Sequence, residues 1–347
     1  MKNLLIIRFS ALGDVAMTIP VIHACAMQNP QLNITVLSRE GMRPLFSRMP
    51  GNVHFIGANL KGRHQGVPGL NRLFMELRAM HFDAVADMHD VLRTKYLRML
   101  FRLTGVKTAY IRKDRKQKKA LTDCVDKRLV PLKTSFERYA DTLRQLHIEV
   151  TPRFCSLFGE GKGNLKLVEA VTGEKRDGEH WIGVAPFAAH RGKIYPLPLM
   201  EKVIETLSHE EKYRIFLFGA GKYERSILEQ WEAKYSRTLS LAGKLQMDTE
   251  LVVMSHLDVM LSMDSANMHL ASLTATPVLS IWGATHPYAG FMGWNQSEKL
   301  AIQLDMKCRP CSIYGNVPCM REDYACMEMI EPAAVVERIK QLIDKIE

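Results

Sequence analysis

Asp264-Ser265 and, one helical turn on, His269 form a tight group of side chains able to grip a polar ligand. The run ahead of them, Asp258-Val-Met-Leu-Ser-Met263, is apolar. Val278 to Trp282 is apolar again and is closed by Gly283-Ala-Thr-His-Pro287. Two such runs around a short helical piece read as one βαβ unit. Its polar residues lie at the strand C-terminal ends, where open α/β sheets bind ligands. Asp264 or Ser265 could simply cap the intervening helix, but a cap does not account for Thr285 and His286 on the next strand. Asp14 follows a strand and precedes a helix. It is either a first-turn acid favoured by the helix dipole or a general base for a hydroxyl. Lys193 lies in a loop after Trp181–Ala185, as a solvated cation or as the partner of a phosphate near a helix N-terminus. Gly219-Ala-Gly221 permits close ligand approach. Glu224 beyond it suits either ribose hydroxyls or its helix's first turn.

The elements that must carry these residues follow an α/β rhythm. Strands are expected at Lys2–Ile7, Asn33–Ser38, Val53–Ile56, Phe82–Met88 and Thr108–Ile111, with helices over Val15–Met27, Leu70–Met80 and Phe136 to about His147. Residues 149–176 carry Pro152 and glycines at 159, 161, 163 and 173, which is linker composition. The rhythm then repeats, with strands at Trp181–Ala185, Tyr213–Phe218 and Thr238–Leu241, and a final amphipathic helix over Pro332–Ile346. The first loop holds only Gly13, so a G-x-G-x-x-G dinucleotide fingerprint is absent.

With 347 residues, two domains are the natural expectation. No apolar run is long enough for a membrane span, and Leu4–Ile7 is too short for a signal-peptide core, so a cytoplasmic protein is expected. Net charge is +10, with 12 Lys or Arg against 4 Asp or Glu between residues 102 and 138. That segment is either a solvated loop or a patch for a polyanion. Nucleic-acid module signatures are missing, which favours a membrane surface or an anionic glycolipid. Cys308, Cys311, Cys319 and Cys326 cluster as C-x2-C-x7-C-x6-C. In a cytoplasmic chain this suggests structural zinc more than disulfides, although the spacing is not that of a zinc ribbon.

Taken in order, several motifs together resemble glycosyltransferase family 9, the ADP-heptose:lipopolysaccharide heptosyltransferases. They are Arg8-Phe-Ser-Ala-Leu-Gly-Asp-Val-Ala-Met-Thr-Ile-Pro20; Ala185-Pro186 with Lys193 and Pro196; Phe218-Gly-Ala-Gly221 with Glu224; Asp264-Ser-Ala-Asn-Met-His269; Thr276-Pro-Val278; and Gly283-Ala-Thr-His-Pro287. Ala266 stands where most members have Gly, and His286 where Asp is common. The resemblance implies a GT-B fold, two Rossmann-like doubly wound domains facing across a cleft. Residues 1–155 would bind acceptor and 156–330 the nucleotide-sugar donor, with a helix in 331–347 packing back on the N-terminal domain. Asp14 then resembles the catalytic base. Lys193 resembles the diphosphate-binding lysine, Glu224 the ribose contact and Leu245 the residue packed on the base. Asp264, Ser265 and His269 resemble the grip on sugar and diphosphate. Lys61, Arg63, Arg93 and Lys95 are the acceptor contacts expected on the basic N-terminal half. The implied reaction is inverting, metal-independent transfer of heptose from ADP-heptose to the inner core of lipopolysaccharide or lipooligosaccharide, by a peripheral protein at the cytoplasmic face of the inner membrane. A different nucleotide-sugar donor, or a non-catalytic nucleotide or anionic-glycan binding protein on this fold, stays open. No cofactor is required by this chemistry, and the cysteines are not needed for it.

Overall fold

A computed structural model describes residues 1–345. The chain resolves into two compact units, residues 1–114 with 133–157, and 115–132 with 158–347. In the first unit β1 (Asn3–Ile7) leads through α1 (Leu12–Ala16) and α2 (Ile19–Gln28) to β2 (Asn33–Arg39) and β3 (Val53–Ala58). After α3 (Gly66–Arg78) come β4 (Ala84–Asp87), α4 (Leu92–Leu103) and β5 (Lys107–Tyr110). The chain then enters the second unit with α5 (Arg115–Leu121) and returns for α6 (Ser135–Arg144). The five strands form one parallel sheet in the order β3-β2-β1-β4-β5. Leu4 to Ile7 are fully buried, because helices cover both faces and a central parallel strand then reads as an unbroken apolar run.

The second unit contains α7 (Glu169–Thr172), β6 (His180–Ala185), α8 (Leu197–Ser208), β7 (Tyr213–Leu217), α9 (Gly221–Lys234) and β8 (Thr238–Ser240). It continues through α10 (Met247–His256), β9 (Val259–Met263), α11 (Ala266–Ser272), β10 (Val278–Ile281), β11 (Ala301–Ile302), α12 (Ala325–Glu328) and α13 (Pro332–Ile343). Its six-stranded sheet runs β11-β10-β9-β6-β7-β8, again parallel throughout.

Several expectations need correction. The helix expected over Val15–Met27 is two helices, broken at Met17-Thr18. Pro20 has no N–H to donate and is tolerated only in a first turn, and the Thr18 hydroxyl donates to the Val15 carbonyl at 2.6 Å. Residues 115–132, expected in the N-terminal domain, belong to the second unit. Leu132 N–H donates to Tyr288 O at 2.9 Å, and Lys127 Nζ donates to the carbonyls of Lys307, Cys308 and Pro310 at 3.2, 2.8 and 3.1 Å. Lys118 lies 4.8 Å from the Phe291 ring centre. The basic block is therefore partly a helix that packs through Lys118, while Arg112, Arg115, Lys116 and Lys119 stay exposed. The C-terminal helix is likewise corrected. α13 buries Val335, Val336, Ile339 and Ile343 in the second unit's own core, with Met200, Val203, Ile204 and Leu207 of α8. Its expected end at Ile346 lies outside the described residues.

Candidate functional site

In each sheet the chain order reverses at one place, and the two strands flanking it leave a crevice at their C-terminal ends. In the second unit that place lies between β6 and β9, and the loops after them carry Lys193 and Asp264. Lys193 Nζ is 3.0 Å from Asp264 Oδ2. Thr285, on the loop after β10, donates its hydroxyl to the same oxygen at 2.8 Å. Asp264 is buried, and Lys193 keeps 16% of its side chain exposed. A cation so held presents its remaining N–H donors to an anionic ligand, and the pair satisfies a carboxylate that would otherwise be costly to bury.

The loops around Lys193 approach closely through glycines. A Cβ on Gly192 would lie 2.8 Å from Ala284 Cβ, and one on Gly283 would lie 2.7 Å from Gly192 O. At Gly315, where φ is +77°, a Cβ would lie 2.4 Å from Lys193 Cγ. Arg309, buried, ties the same region together. Its guanidinium donates to Thr285 O at 3.0 Å and Gln303 Oε1 at 2.9 Å, and to the carbonyls of Gly283 and Leu304. His286 accepts the Tyr288 N–H on Nδ1 at 3.1 Å. Burial, with Arg309 adding repulsion, pushes its pKa down to about 4, so it is neutral at physiological pH.

Ser265 is the N-cap residue of α11, yet its hydroxyl makes no cap bond and instead meets Ser262 Oγ at 3.3 Å. His269 is buried on α11. Glu224 Oε2 accepts the Ala220 N–H at 2.8 Å, which is the first-turn role; its other oxygen is not engaged by that bond. Leu245 lies half-buried between β8 and α10.

In the first unit the reversal lies between β1 and β4. Asp14 sits in α1 just beyond β1. Its Oδ2 is 2.7 Å from Arg8 Nη2 and accepts the Ala11 N–H at 3.1 Å. A third of the Asp14 side chain is exposed. Arg8 also donates to Met88 O at 2.6 Å. Burial opposes the Arg8 charge, but Tyr139 and Asp14 outweigh it and hold the guanidinium above its usual pKa. His89 Nδ1 accepts the Phe9 N–H at 3.4 Å, and Nε2 faces Ser10 Oγ at 3.4 Å. Burial and the charges of Arg8 and Lys113 push His89 down to about 3, so the imidazole is neutral at physiological pH. Asp87, fully buried, holds the turn after β4 by accepting the His89 and Asp90 N–H groups at 3.0 and 2.8 Å.

Lys61 and Arg63 follow β3, and Arg93 and Lys95 open α4, so all four lie beyond strand C-terminal ends of the same sheet as Asp14. Arg63 pairs with Glu76, and Lys95 is 3.7 Å from Asp90. Two cations in a helix's first turn oppose its dipole, so helix stability does not explain Arg93 and Lys95.

The four clustered cysteines are all unpaired. Among the described residues no group of three or more His, Cys, Asp or Glu side chains could hold a metal ion. Cys326 is buried in the second unit's core, and burial pushes its thiol up to about 11.

The family model described as glycosyltransferase family 9 (heptosyltransferase) matches residues 70–317. The chain belongs to that family. Among curated relatives of this family 9 member, the lipooligosaccharide heptosyltransferase 2 of Campylobacter jejuni is 26% identical over 173 residues, 48% of this chain and 52% of that protein. The chain thus spans about half the length of that relative. The lipopolysaccharide core heptosyltransferase OpsX of Haemophilus influenzae is 22% identical, over 82% of this chain and 80% of that one. The family 9 glycosyl transferase structure from Veillonella parvula superposes with a TM-score of 0.75 at 19% identity, covering 99% of this chain and 98% of that one. Its likeness supports the GT-B fold class for the two parallel-sheet units. Arg8, His89, Arg309 and Gly315 lie against the candidate site residues of this family 9 chain and were not selected by sequence reasoning, whereas Thr285 was read only as a strand-end polar residue. Thr285 carried a signal as a strand-end hydroxyl. Arg8 and His89 meet only because β1 pairs with β4, which no spacing reveals.

Proposed function

We propose that the protein is an inverting glycosyltransferase that moves heptose from ADP-heptose to the inner core of lipopolysaccharide or lipooligosaccharide. The observation that carries this reading is the Lys193–Asp264–Thr285 group at the reversal of the second sheet, a largely buried setting in which Lys193 is held with N–H donors to spare for a departing diphosphate. On this reading Asp14 takes the proton from the acceptor hydroxyl. The hydroxyl oxygen bonds to the anomeric carbon from the face opposite the diphosphate. The carbon–oxygen bond to the diphosphate breaks, and ADP leaves with its charge met by Lys193 and the neighbouring N–H groups. An oxocarbenium-like transition state is expected, as in glycoside hydrolysis. Arg8 keeps the Asp14 carboxylate oriented, and Ser265, His269, Glu224 and Leu245 complete the donor site. No step calls for a metal.

Lys61, Arg63, Arg93 and Lys95 would meet the phosphates of a lipid-anchored acceptor, which places the working protein at the cytoplasmic face of the inner membrane. Among the described residues no helix is long and apolar enough to cross a membrane. A panel of ADP- and UDP-sugars, scored for binding and for transfer to purified core acceptor, tests the proposal. Transfer from ADP-heptose supports it. Transfer only from another donor replaces the sugar assignment, and binding without transfer from any donor defeats the enzyme reading.

A further inference from the structure

We propose that the outer edge of the first unit's sheet carries a second anion site, a groove that binds a phosphomonoester. The groove encloses about 720 Å3 along the edge strand β5, between α4 and the residues that follow α6. Lys95, Arg98, Arg102, Lys107 and His147 line it, and no carboxylate does. Arg98 is already neutralised, with Nη1 2.8 Å from Asp87 Oδ2 and Nη2 3.3 Å from Asp90 Oδ1. Its guanidinium lies 4.2 Å from the Tyr110 ring centre, which fixes the groove's wall.

The remaining cations are not spent. Among the described residues no ion pair is made by Arg102 or Lys107, both exposed, while Lys95 reaches Asp90 only at 3.7 Å. The negative end of the α4 dipole accounts for Arg102, which lies in the last turn. It accounts for neither Lys107, on β5, nor Lys95, in the first turns. Like charges gathered on one concave wall repel one another, and a dianion relieves that repulsion. The wall is also held in shape. Gln145 Nε2 donates to Tyr110 O at 3.1 Å and its Oε1 accepts the Tyr110 N–H at 3.5 Å, so the open edge of β5 is satisfied there by a side chain. Val106 and Leu146 add apolar lining, which suits a phosphate carried on an organic group better than a bare ion. β4 stands between β5 and the β1 loop that carries Asp14, so this groove is displaced from Asp14, and of the candidate acceptor contacts only Lys95 lines it. The proposal does not depend on the glycosyl-transfer reading.

The ester could come from a soluble sugar phosphate or a lipid headgroup, and one experiment separates the two. The intact protein is titrated with glucose 1-phosphate, with glucose as control, and with phosphatidylcholine vesicles with and without phosphatidic acid. The same titrations are run on Arg102→Glu and Lys107→Glu, each checked for wild-type thermal unfolding. Saturable binding of glucose 1-phosphate but not glucose supports the site and assigns a soluble ester. Binding only to phosphatidic acid vesicles supports it and assigns a headgroup. In either case each charge reversal is expected to weaken binding by at least about 10-fold. No saturable binding to either probe, or binding unchanged in both variants, overturns the proposal.

Discussion

Replacing Lys193 by Met keeps the aliphatic stem and removes the charge that faces Asp264. Asp264 is buried and would retain only the Thr285 hydroxyl at 2.8 Å among its present partners. Breaking a buried pair from one side costs about 3–5 kcal/mol. Because Lys193 is 16% exposed and water can reach its place, the lower end, about 3 kcal/mol, is the expectation. Asp264→Asn should cost less, about 1 kcal/mol, since the freed ammonium can turn to solvent. The double variant leaves no buried charge, so it should be more stable than the sum of the two losses predicts, by about 2 kcal/mol. All four tryptophans, Trp181, Trp231, Trp282 and Trp294, lie in the second unit. Urea unfolding followed by tryptophan fluorescence therefore reports on the unit that holds the pair. Losses that add to within about 0.5 kcal/mol would show that the two residues are not energetically coupled. In the same preparations ADP affinity should fall about 10- to 150-fold in Lys193→Met, the equivalent of one charge-assisted hydrogen bond.

Gly315→Ala should destabilise the second unit by about 1–3 kcal/mol and weaken ADP binding, because φ is +77° and the new methyl would meet the Lys193 stem. Gly161→Ala, whose nearest contact is 3.8 Å away, should be close to neutral in both measurements. Burial raises the Glu250 carboxyl to about 7. The folded state therefore holds this proton more tightly than the unfolded chain does, and stability should decline as pH rises from about 4.5 to about 7 and then level off. Glu250→Gln should gain stability relative to wild type at pH 8 and show little difference at pH 4.5; a gain equal at both pH values would rule out this linkage. Metal analysis of purified protein tests zinc at the cysteine cluster: a zinc-to-protein ratio of one supports a thiolate site, and no stoichiometric zinc removes it.

Much of the architecture is readable in the chain because parallel strands are buried on both faces. Leu4–Ile7, Val259–Met263 and Val278–Ile281 appear as apolar runs with turn residues after them. The same logic places Asp14, Lys193 and Asp264 at strand ends. What a linear pattern cannot carry is which strand ends are neighbours. Lys193 reaches Asp264 because β6 pairs with β9, and Arg8 reaches the loop after β4 because β1 pairs with β4. The basic block reads as a solvated loop or a polyanion patch because six cations in eight residues mask a helix whose Lys118 packs on aromatic rings. α13 shows the opposite failure. Its amphipathic stripe was legible, but a stripe does not say which core receives it, and here α8 does.

If Asp14 is the base of a glycosyl transfer, Asp14→Asn should separate proton removal from donor binding. The amide keeps the size of the side chain and loses its basicity. Transfer from ADP-heptose to purified core acceptor is measured beside ADP-heptose affinity in the same preparation. Turnover should fall by about 10²- to 10⁴-fold while donor affinity stays within about threefold of wild type. Turnover at the wild-type rate would contradict that role.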